Sequence, residues 1–253
     1  METLPRQLPP GPIGDIRRRE LTLSEIISGA WQIFSEHLQA IILIALVIFL
    51  PLNIISAYMP GNNVDANDIT NGTMVMELVV SLALLLVAGV LAPAAIAYIV
   101  SMHLENKPVD FKTAFRFALT RWLPLIGTTL LLVAFLLGLT FLLVIPAVIF
   151  GFYWAFTTYI VVLKSKSGLD AIRYSQSIVR GRWWKVAGYL LVFGLITGMI
   201  TWVISQPFVN IHNQAFNACL STLSDIIFTF SIVATTIFFI NLDAVRRDNP
   251  ARI

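Results

Sequence analysis

Charge is what this sequence has least of. Of its 253 residues, 12% are charged and 57% are hydrophobic, whereas a typical soluble domain carries about 25% charged residues. A chain of this length cannot bury so large an apolar fraction in one water-soluble core. The composition therefore excludes soluble, disordered, fibrous and nucleic-acid-binding proteins, and it indicates a polytopic membrane protein with the phospholipid bilayer as its first partner.

Residue patterns that carry catalysis are also scarce. Cys219 is the only cysteine, so an internal disulfide is excluded. His37, His103 and His212 have no partner at the spacing of a metal motif, and neither a glycine-rich phosphate loop nor a Gly-x-Ser-x-Gly motif occurs. We therefore expect a protein that is not an enzyme and that has no metal and no cofactor.

Six apolar stretches are long enough to cross a hydrocarbon layer of about 30 Å, which takes about 20 helical residues. They cover Leu38–Met59, Met74–Met102, Trp122–Val144, Pro146–Leu163, Val186–Gln206 and Leu223–Leu242. No charged residue separates the third stretch from the fourth, and Pro146 marks the break because proline removes a backbone donor. The sequence predicts an all-α fold with six transmembrane helices, of which the third and fourth form a tight hairpin.

The 17 Lys and Arg residues are confined to alternate connections. They lie in the N-terminal segment, the second and fourth connections and the C-terminal segment, while the first connection carries Asp65 and Asp68 instead. Because Lys and Arg are retained on the cytoplasmic side, we predict a multi-pass protein of the bacterial inner membrane with both termini cytoplasmic. Residues 1–20 are predicted to be a disordered tail, 21–243 a membrane domain, and 244–253 a second cytoplasmic tail.

An amphipathic helix precedes each outgoing span on the basic side. Apolar residues recur at helical spacing over Leu23–Leu38, Phe111–Trp122 and Ile172–Trp183. These three helices are predicted to lie in the cytoplasmic membrane interface, and the order of surface helix, outgoing span and returning span indicates a threefold repeat. The predicted N-caps of the three helices are Thr22, Asp110 and Ser167.

The fourth connection is the most distinctive polar segment, because it combines basic and aromatic residues. Each Lys or Arg near anionic headgroups contributes about 1 kcal/mol to membrane attraction, so the segment predicts a lipid-headgroup site. Anchoring by the positive-inside rule alone explains the same residues, and both interpretations stay open. The candidate headgroup contacts are Arg173, Arg180, Arg182, Trp183, Trp184 and Lys185.

This region also carries a family resemblance. The sequence has VIPAV at 144–148, GLDAIRYS at 168–175 and RGRWW at 180–184. In this order it resembles the membrane domain of some bacterial glycerophosphoryl diester phosphodiesterases and the related stand-alone inner-membrane proteins. The resemblance covers Leu21 to Arg247, with its specific part at Val144–Tyr189, and Ala147 departs from it because family members often have glycine after the proline. The phosphodiesterase activity of those relatives belongs to a separate soluble domain, so the resemblance assigns no catalytic residue here.

Three functions are compatible with these observations. The first is a non-catalytic protein at the lipid interface, acting as a scaffold, as a partner subunit or as a lipid-handling module, with a membrane protein or a second copy of itself as partner. The second is a transporter for a lipid-like or amphipathic solute. A membrane-embedded enzyme is the third and has the least support, since no catalytic constellation is present.

Overall fold

The fold is helical throughout the part of the chain that the computed structural model describes, which is residue 16 and residues 19–58, 71–211 and 213–248. A short 3-10 helix at Gln206–Phe208 joins the last two helices, and that part contains no strand. The helices are α1 Leu23–Glu36, α2 Leu38–Ala57, α3 Asn71–Leu104, α4 Phe111–Thr120, α5 Trp122–Leu142, α6 Val144–Tyr153, α7 Thr157–Lys164, α8 Gly168–Val179, α9 Trp183–Ser205 and α10 Gln214–Asp248.

Six of these helical segments are long and apolar enough to cross a membrane. They are α2, the Leu86–Leu104 part of α3, α5, the combined α6 and α7, α9, and α10. This confirms the predicted all-α class with six spans, so the protein is a multi-pass membrane protein. The largest difference is in α10, which begins at Gln214, nine residues before the apolar stretch that predicted it.

The short helices α1, α4 and α8 precede the spans in the predicted order. Each is followed by an outgoing and a returning span, so the element order repeats three times. The apolar residues of α1 divide between two faces. Ile26, Ala30 and Ile33 are buried, whereas Trp31 is 64% exposed. Helix α1 therefore packs against the bundle through one face and leaves part of its apolar stripe at the surface.

All three predicted N-cap positions are confirmed, and two of them make a side-chain cap hydrogen bond. Thr22 forms a capping box with Glu25, in which the Thr22 N–H donates to a carboxylate oxygen of Glu25 at 2.8 Å and the Glu25 N–H donates to the Thr22 hydroxyl at 3.4 Å. Asp110 accepts from the Thr113 N–H at 3.1 Å. Ser167 is the N-cap residue of α8 as predicted, but its side chain makes no cap hydrogen bond. The first N–H of α8 donates instead to the Thr128 hydroxyl of α5, at 2.8 Å.

The predicted hairpin between the third and fourth spans is present, with its break at Leu143. That residue has extended backbone, with φ −163° and ψ 132°, and α6 starts at the next residue and packs against α5. Pro146 lies in the first turn of α6, where a missing N–H removes no helical hydrogen bond. The break therefore lies three residues before the proline.

The fourth span is interrupted between Tyr153 and Thr157, where α6 ends and α7 begins. Ser175 of α8 bridges this interruption. Its hydroxyl donates to the Tyr153 carbonyl at 2.8 Å and accepts from the Phe156 N–H at 3.3 Å. Because Ser175 is fully buried, α8 is inserted against the fourth span, and its buried face satisfies backbone groups that the helix break exposes.

Part of the N-terminal segment packs against the bundle. The Asn241 side chain of α10 accepts from the Leu21 N–H at 3.0 Å and donates to the carbonyls of Ile16 and Arg19, both at 2.7 Å. Ile16 is 1% exposed, which differs from the disorder predicted for residues 1–20. The remainder of that tail, residues 1–15, 17 and 18, lies outside the described residues. At the other end α10 continues to Asp248, so residues 244–248 are helical, and residues 249–253 lie outside the described residues.

Candidate functional site

Polar contacts join the basic segments at one end of the bundle. Glu20 pairs with Arg182 and Lys185, at 2.9 and 2.6 Å, which ties the N-terminal segment to the fourth connection. Lys164 pairs with Asp243 of α10, and a further link runs from Arg121 to Ser165, at 2.8 Å. We call residues 19–22, 105–121, 164–185 and 241–248 the basic end.

The predicted headgroup residues Arg182 and Lys185 form ion pairs within the protein. Both pair with Glu20, and the Lys185 ammonium lies 5.5 Å from the Tyr189 ring centroid. The turn that places them depends on Gly181, whose φ of +80° is in the region that favours glycine. These two cations therefore hold the N-terminal segment against the start of α9.

Three of the other predicted headgroup residues point outwards. Arg173 and Arg180 are exposed and make no ion pair with the described part of the chain. Trp184 is 83% exposed. Trp183 is half-buried and its indole N–H donates to the Ile149 carbonyl at 3.2 Å. Arg173, Arg180 and Trp184 are thus the predicted residues that remain available to a lipid headgroup.

An apolar crevice of about 380 Å³ lies between α1, α9 and α10. The rings of Trp31, Phe34 and Phe230 form one wall, with Phe34 and Phe230 at 5.9 Å between centroids. The hydroxyl of Thr197 donates to the Phe193 carbonyl at 3.0 Å, so it does not make the crevice polar. The lining residues are Ile27, Trp31, Phe34, Leu38, Ile196, Thr197, Ile200, Ile226, Ile227 and Phe230.

The apolar crevice could not be found from periodicity alone. The stripe of α1 predicted a face in the membrane interface, and its residues Trp31 and Phe34 also contact Phe230 of α10. One feature of the sequence pointed to the crevice. The apolar stripe of α1 has seven positions, which cover more of the helix surface than contact with one neighbouring helix would bury.

A polar cleft of about 620 Å³ opens near the start of α10, away from the basic end. At its wall, Asn53 of α2 donates to the carboxylate of Asp225 at 2.7 Å and lies 3.1 Å from the Thr222 hydroxyl. A carboxylate inside a spanning helix is costly and is a functional candidate for that reason. The polar residues lining the cleft include Asn53, Ser56, Ser205, Gln206, Gln214, Asn217 and Ser221.

A charged network at the basic end is centred on Asp243, which is 3% exposed. Its carboxylate lies 2.5 Å from the Lys164 ammonium and 3.3 Å from the Arg247 guanidinium, and it accepts from the Tyr174 hydroxyl at 2.5 Å. Partial burial and the hydrogen bond to Asp243 raise the pKa of Tyr174. The network fastens α7, α8 and α10 to one another.

Two of the three histidines meet, although 66 residues separate them. The His37 Nε2 lies 3.2 Å from the His103 Nδ1, and the same nitrogen of His103 lies 3.5 Å from a carboxylate oxygen of Glu36. Desolvation, and next the neighbouring His103, lower the pKa of His37, while Glu36 opposes this. A search for short metal-motif spacings missed the pair because it is assembled from two separate helix ends.

Comparison with known proteins gives one family match. A family model described as "Domain of unknown function (DUF7847)" matches residues 69–244, which is more than half of the chain. No curated protein and no solved structure matches. The family match does not link the chain to glycerophosphoryl diester phosphodiesterases, and that resemblance stays a prediction.

Proposed function

Since the chain belongs to this family, whose description names no activity, we propose from the geometry that it is a non-catalytic membrane protein that handles lipid. In this proposal the apolar crevice holds an acyl chain, and the outward residues of the basic end contact the headgroup region. The apolar crevice is the observation that carries the proposal.

The position of the apolar crevice supports a lipid occupant. Helices α9 and α10 both qualify as spans, so the residues they contribute lie in a membrane-crossing part of the chain. Lipid tails are as apolar as leucine side chains, and a chain in the crevice would desolvate no polar group. Filling a gap also gives the lining side chains dispersion contacts that an empty space lacks.

The basic end supplies a matching headgroup environment. Arg173 and Arg180 are exposed, and Trp184 is an exposed aromatic of the kind found at the level of headgroups. Arginines near an anionic surface each contribute about 1 kcal/mol. The proposed lipid is therefore anionic, with a phosphate group as the common chemistry.

We also propose that the basic end faces the cytoplasm of a bacterial cell, which follows from the positive-inside rule. An Asp65→Cys variant in a Cys219→Ser background is then expected to react with a membrane-impermeant maleimide added to intact cells. A cysteine placed at Arg180 in the same background is expected to stay unlabelled until the cells are opened. The reverse labelling pattern would contradict the orientation.

The lipid proposal predicts photocrosslinking in the apolar crevice. Full-length protein in nanodiscs with a lipid carrying a photoactivatable acyl chain should be labelled on residues of α1, α9 or α10 that line it. Tryptophan at Ile200 or Ile227 occupies the space proposed for the acyl chain, so the chain is excluded sterically, and we expect labelling there to fall by roughly 10-fold, which corresponds to about 1.4 kcal/mol. Peptide mapping by mass spectrometry measures the change.

Leu195→Trp is the matched control, because Leu195 lies on α9, is 61% exposed and does not line the crevice. It should leave crevice labelling unchanged. In the same assay the double variant Arg173→Gln, Arg180→Gln should lose the preference for an anionic probe over a zwitterionic one by roughly 30-fold, which corresponds to about 2 kcal/mol. Equal labelling of all helix faces, or no effect of Ile200→Trp and Ile227→Trp, would contradict the proposal.

A transporter for a lipid-like solute is the second candidate, and the polar cleft favours it. A carboxylate held by an amide inside two spans is typical of a substrate pathway, and Asn53 and Asp225 form such a pair. The photocrosslinking experiment separates the two candidates. A transporter predicts labelling along the polar cleft that Asn53→Leu abolishes, whereas the lipid-handling proposal predicts that Asn53→Leu leaves crevice labelling intact.

A further inference from the structure

Three side chains at helix ends converge beside the basic end. Glu36 is the last residue of α1, His37 forms the junction between α1 and α2, and His103 lies in the last turn of α3. One donor atom from each lies within 4.8 Å of the other two. The backbone of His37 is fixed on both sides, because its N–H donates to the Ile33 carbonyl and its carbonyl accepts from the Ile41 N–H, both at 3.0 Å.

Two of the separations between these donor atoms fit the edges of a metal coordination tetrahedron. Nitrogen and oxygen ligands bind Zn²⁺ at about 2.0–2.2 Å, which places two ligands of a tetrahedral ion roughly 3.3–3.6 Å apart. The His37 and His103 nitrogens are 3.2 Å apart, and the His103 nitrogen is 3.5 Å from the Glu36 oxygen. An ion can therefore occupy the centre with small side-chain adjustments.

Hydrogen bonding alone satisfies this cluster poorly. The Nδ1 of His103 lies near both the His37 nitrogen and the Glu36 oxygen, but a ring nitrogen carries at most one proton and so donates to one acceptor at a time. A cation at the centre would be held by both imidazole lone pairs and the carboxylate together. Two imidazoles and a carboxylate suit divalent transition metals.

We propose that Glu36, His37 and His103 form a binding site for a divalent transition-metal ion, with Zn²⁺ as the best match. Three protein ligands leave a fourth coordination position for water. A pocket of about 420 Å³, lined by Glu36 and His37 and by residues of the second connection, adjoins the cluster and gives that position access to solvent. The site joins α1, α2 and α3, and it is independent of the lipid-handling proposal.

The test is a metal titration of the full-length protein in detergent, in a Cys219→Ser background because the exposed thiol of Cys219 is a competing ligand. Co²⁺ is the probe, since its visible absorption reports coordination number, and Zn²⁺ then displaces it. We expect one ion per chain with a four-coordinate spectrum. Mutating a residue that only orients a metal ligand lowers metal affinity by about 10–100-fold. Since His37 and His103 are proposed as ligands themselves, His37→Gln and His103→Gln should each lower Co²⁺ affinity by at least about 100-fold.

Two variants serve as matched controls. His212→Gln changes the histidine that lies outside the described residues, and Glu105→Gln changes a carboxylate that pairs with Lys107. Both should retain the Co²⁺ spectrum and affinity. An affinity that survives in the His37→Gln, His103→Gln double variant would overturn the proposal, as would a stoichiometry well below one ion per chain.

X-ray absorption of the Zn²⁺-loaded chain in the same Cys219→Ser background gives a readout that does not depend on whether the histidine variants fold. Two imidazole ligands with the remaining ligands oxygen support the proposal. Fewer than two imidazoles in the coordination shell overturn it. Glu36→Gln adds a mild variant, since the Glu36 side chain is 48% exposed, and it should weaken binding without lowering the melting temperature of the metal-free protein.

Discussion

Replacing Asn241 with leucine is expected to detach Ile16 and residues 19–21 from α10 and to lower the free energy of unfolding by about 3 kcal/mol. The Asn241 side chain is fully buried and makes three hydrogen bonds to the main chain of Ile16, Arg19 and Leu21. Each buried polar group left without a partner costs roughly 1–3 kcal/mol. The total loss of unfolding free energy is smaller than the sum of these costs, because the released main-chain groups bond to water. Release also breaks the ion pairs of Glu20 with Arg182 and Lys185.

Limited trypsin digestion measures this change directly, because cleavage after Arg19 requires the segment to leave the bundle. The Asn241→Leu variant should be cut much faster than the unmodified chain and should unfold at a lower temperature. Thr236→Val is the matched control. Its position is also fully buried on α10, but its hydroxyl bonds to the Ile232 carbonyl of its own helix. Equal cleavage rates for Asn241→Leu and Thr236→Val would contradict the prediction.

The Asp243→Asn variant is expected to lose about 3 kcal/mol of unfolding free energy as well, for an electrostatic reason. The substitution keeps the volume and removes the charge that compensates Lys164, whose side chain is 23% exposed. Removing one partner of a buried ion pair costs about 3–5 kcal/mol, because the other charge stays desolvated. Equilibrium unfolding in mixed micelles measures the loss.

Arg247→Gln is the control for this variant. Arg247 pairs with the same carboxylate at 3.3 Å, but its side chain is 58% exposed, and exposed pairs contribute about 0–1 kcal/mol. The double variant Lys164→Met, Asp243→Asn should recover part of the loss, since no uncompensated ammonium remains. If Asp243→Asn is no less stable than Arg247→Gln, the charged network does not stabilise the bundle as described.

The features that were predictable from sequence are those encoded over a few consecutive residues. The starts of α2 and α5 coincide with the predicted starts at Leu38 and Trp122, because an abrupt rise in hydropathy marks them. The capping box of Thr22 is likewise local, since all of its atoms lie within four residues. The predicted start of the sixth span is late because residues 214–222 are helical but less apolar than a span requires.

The features that sequence reasoning missed are contacts between distant positions. Asn241 meets residues more than 200 positions away, and Ser175 meets the fourth span 19 to 22 positions away. Nothing in the pattern around His37 distinguishes it from a solvated histidine at a helix end, because its partner is brought close by the return of α3. The ion pairs of the predicted headgroup residues Arg182 and Lys185 were missed for the same reason. The sequence shows these cations and Glu20, but it does not show that the fold brings them together.

The interruption of the fourth span ties this span to α8. Two hydrogen bonds from Ser175 hold the ends of α6 and α7 together at the interruption, and the same helix carries Arg173 on its exposed face. Arg173 and Ser175 lie two positions apart on the same helix of 12 residues. The exposed face of α8 and the joint between α6 and α7 therefore belong to one structural unit.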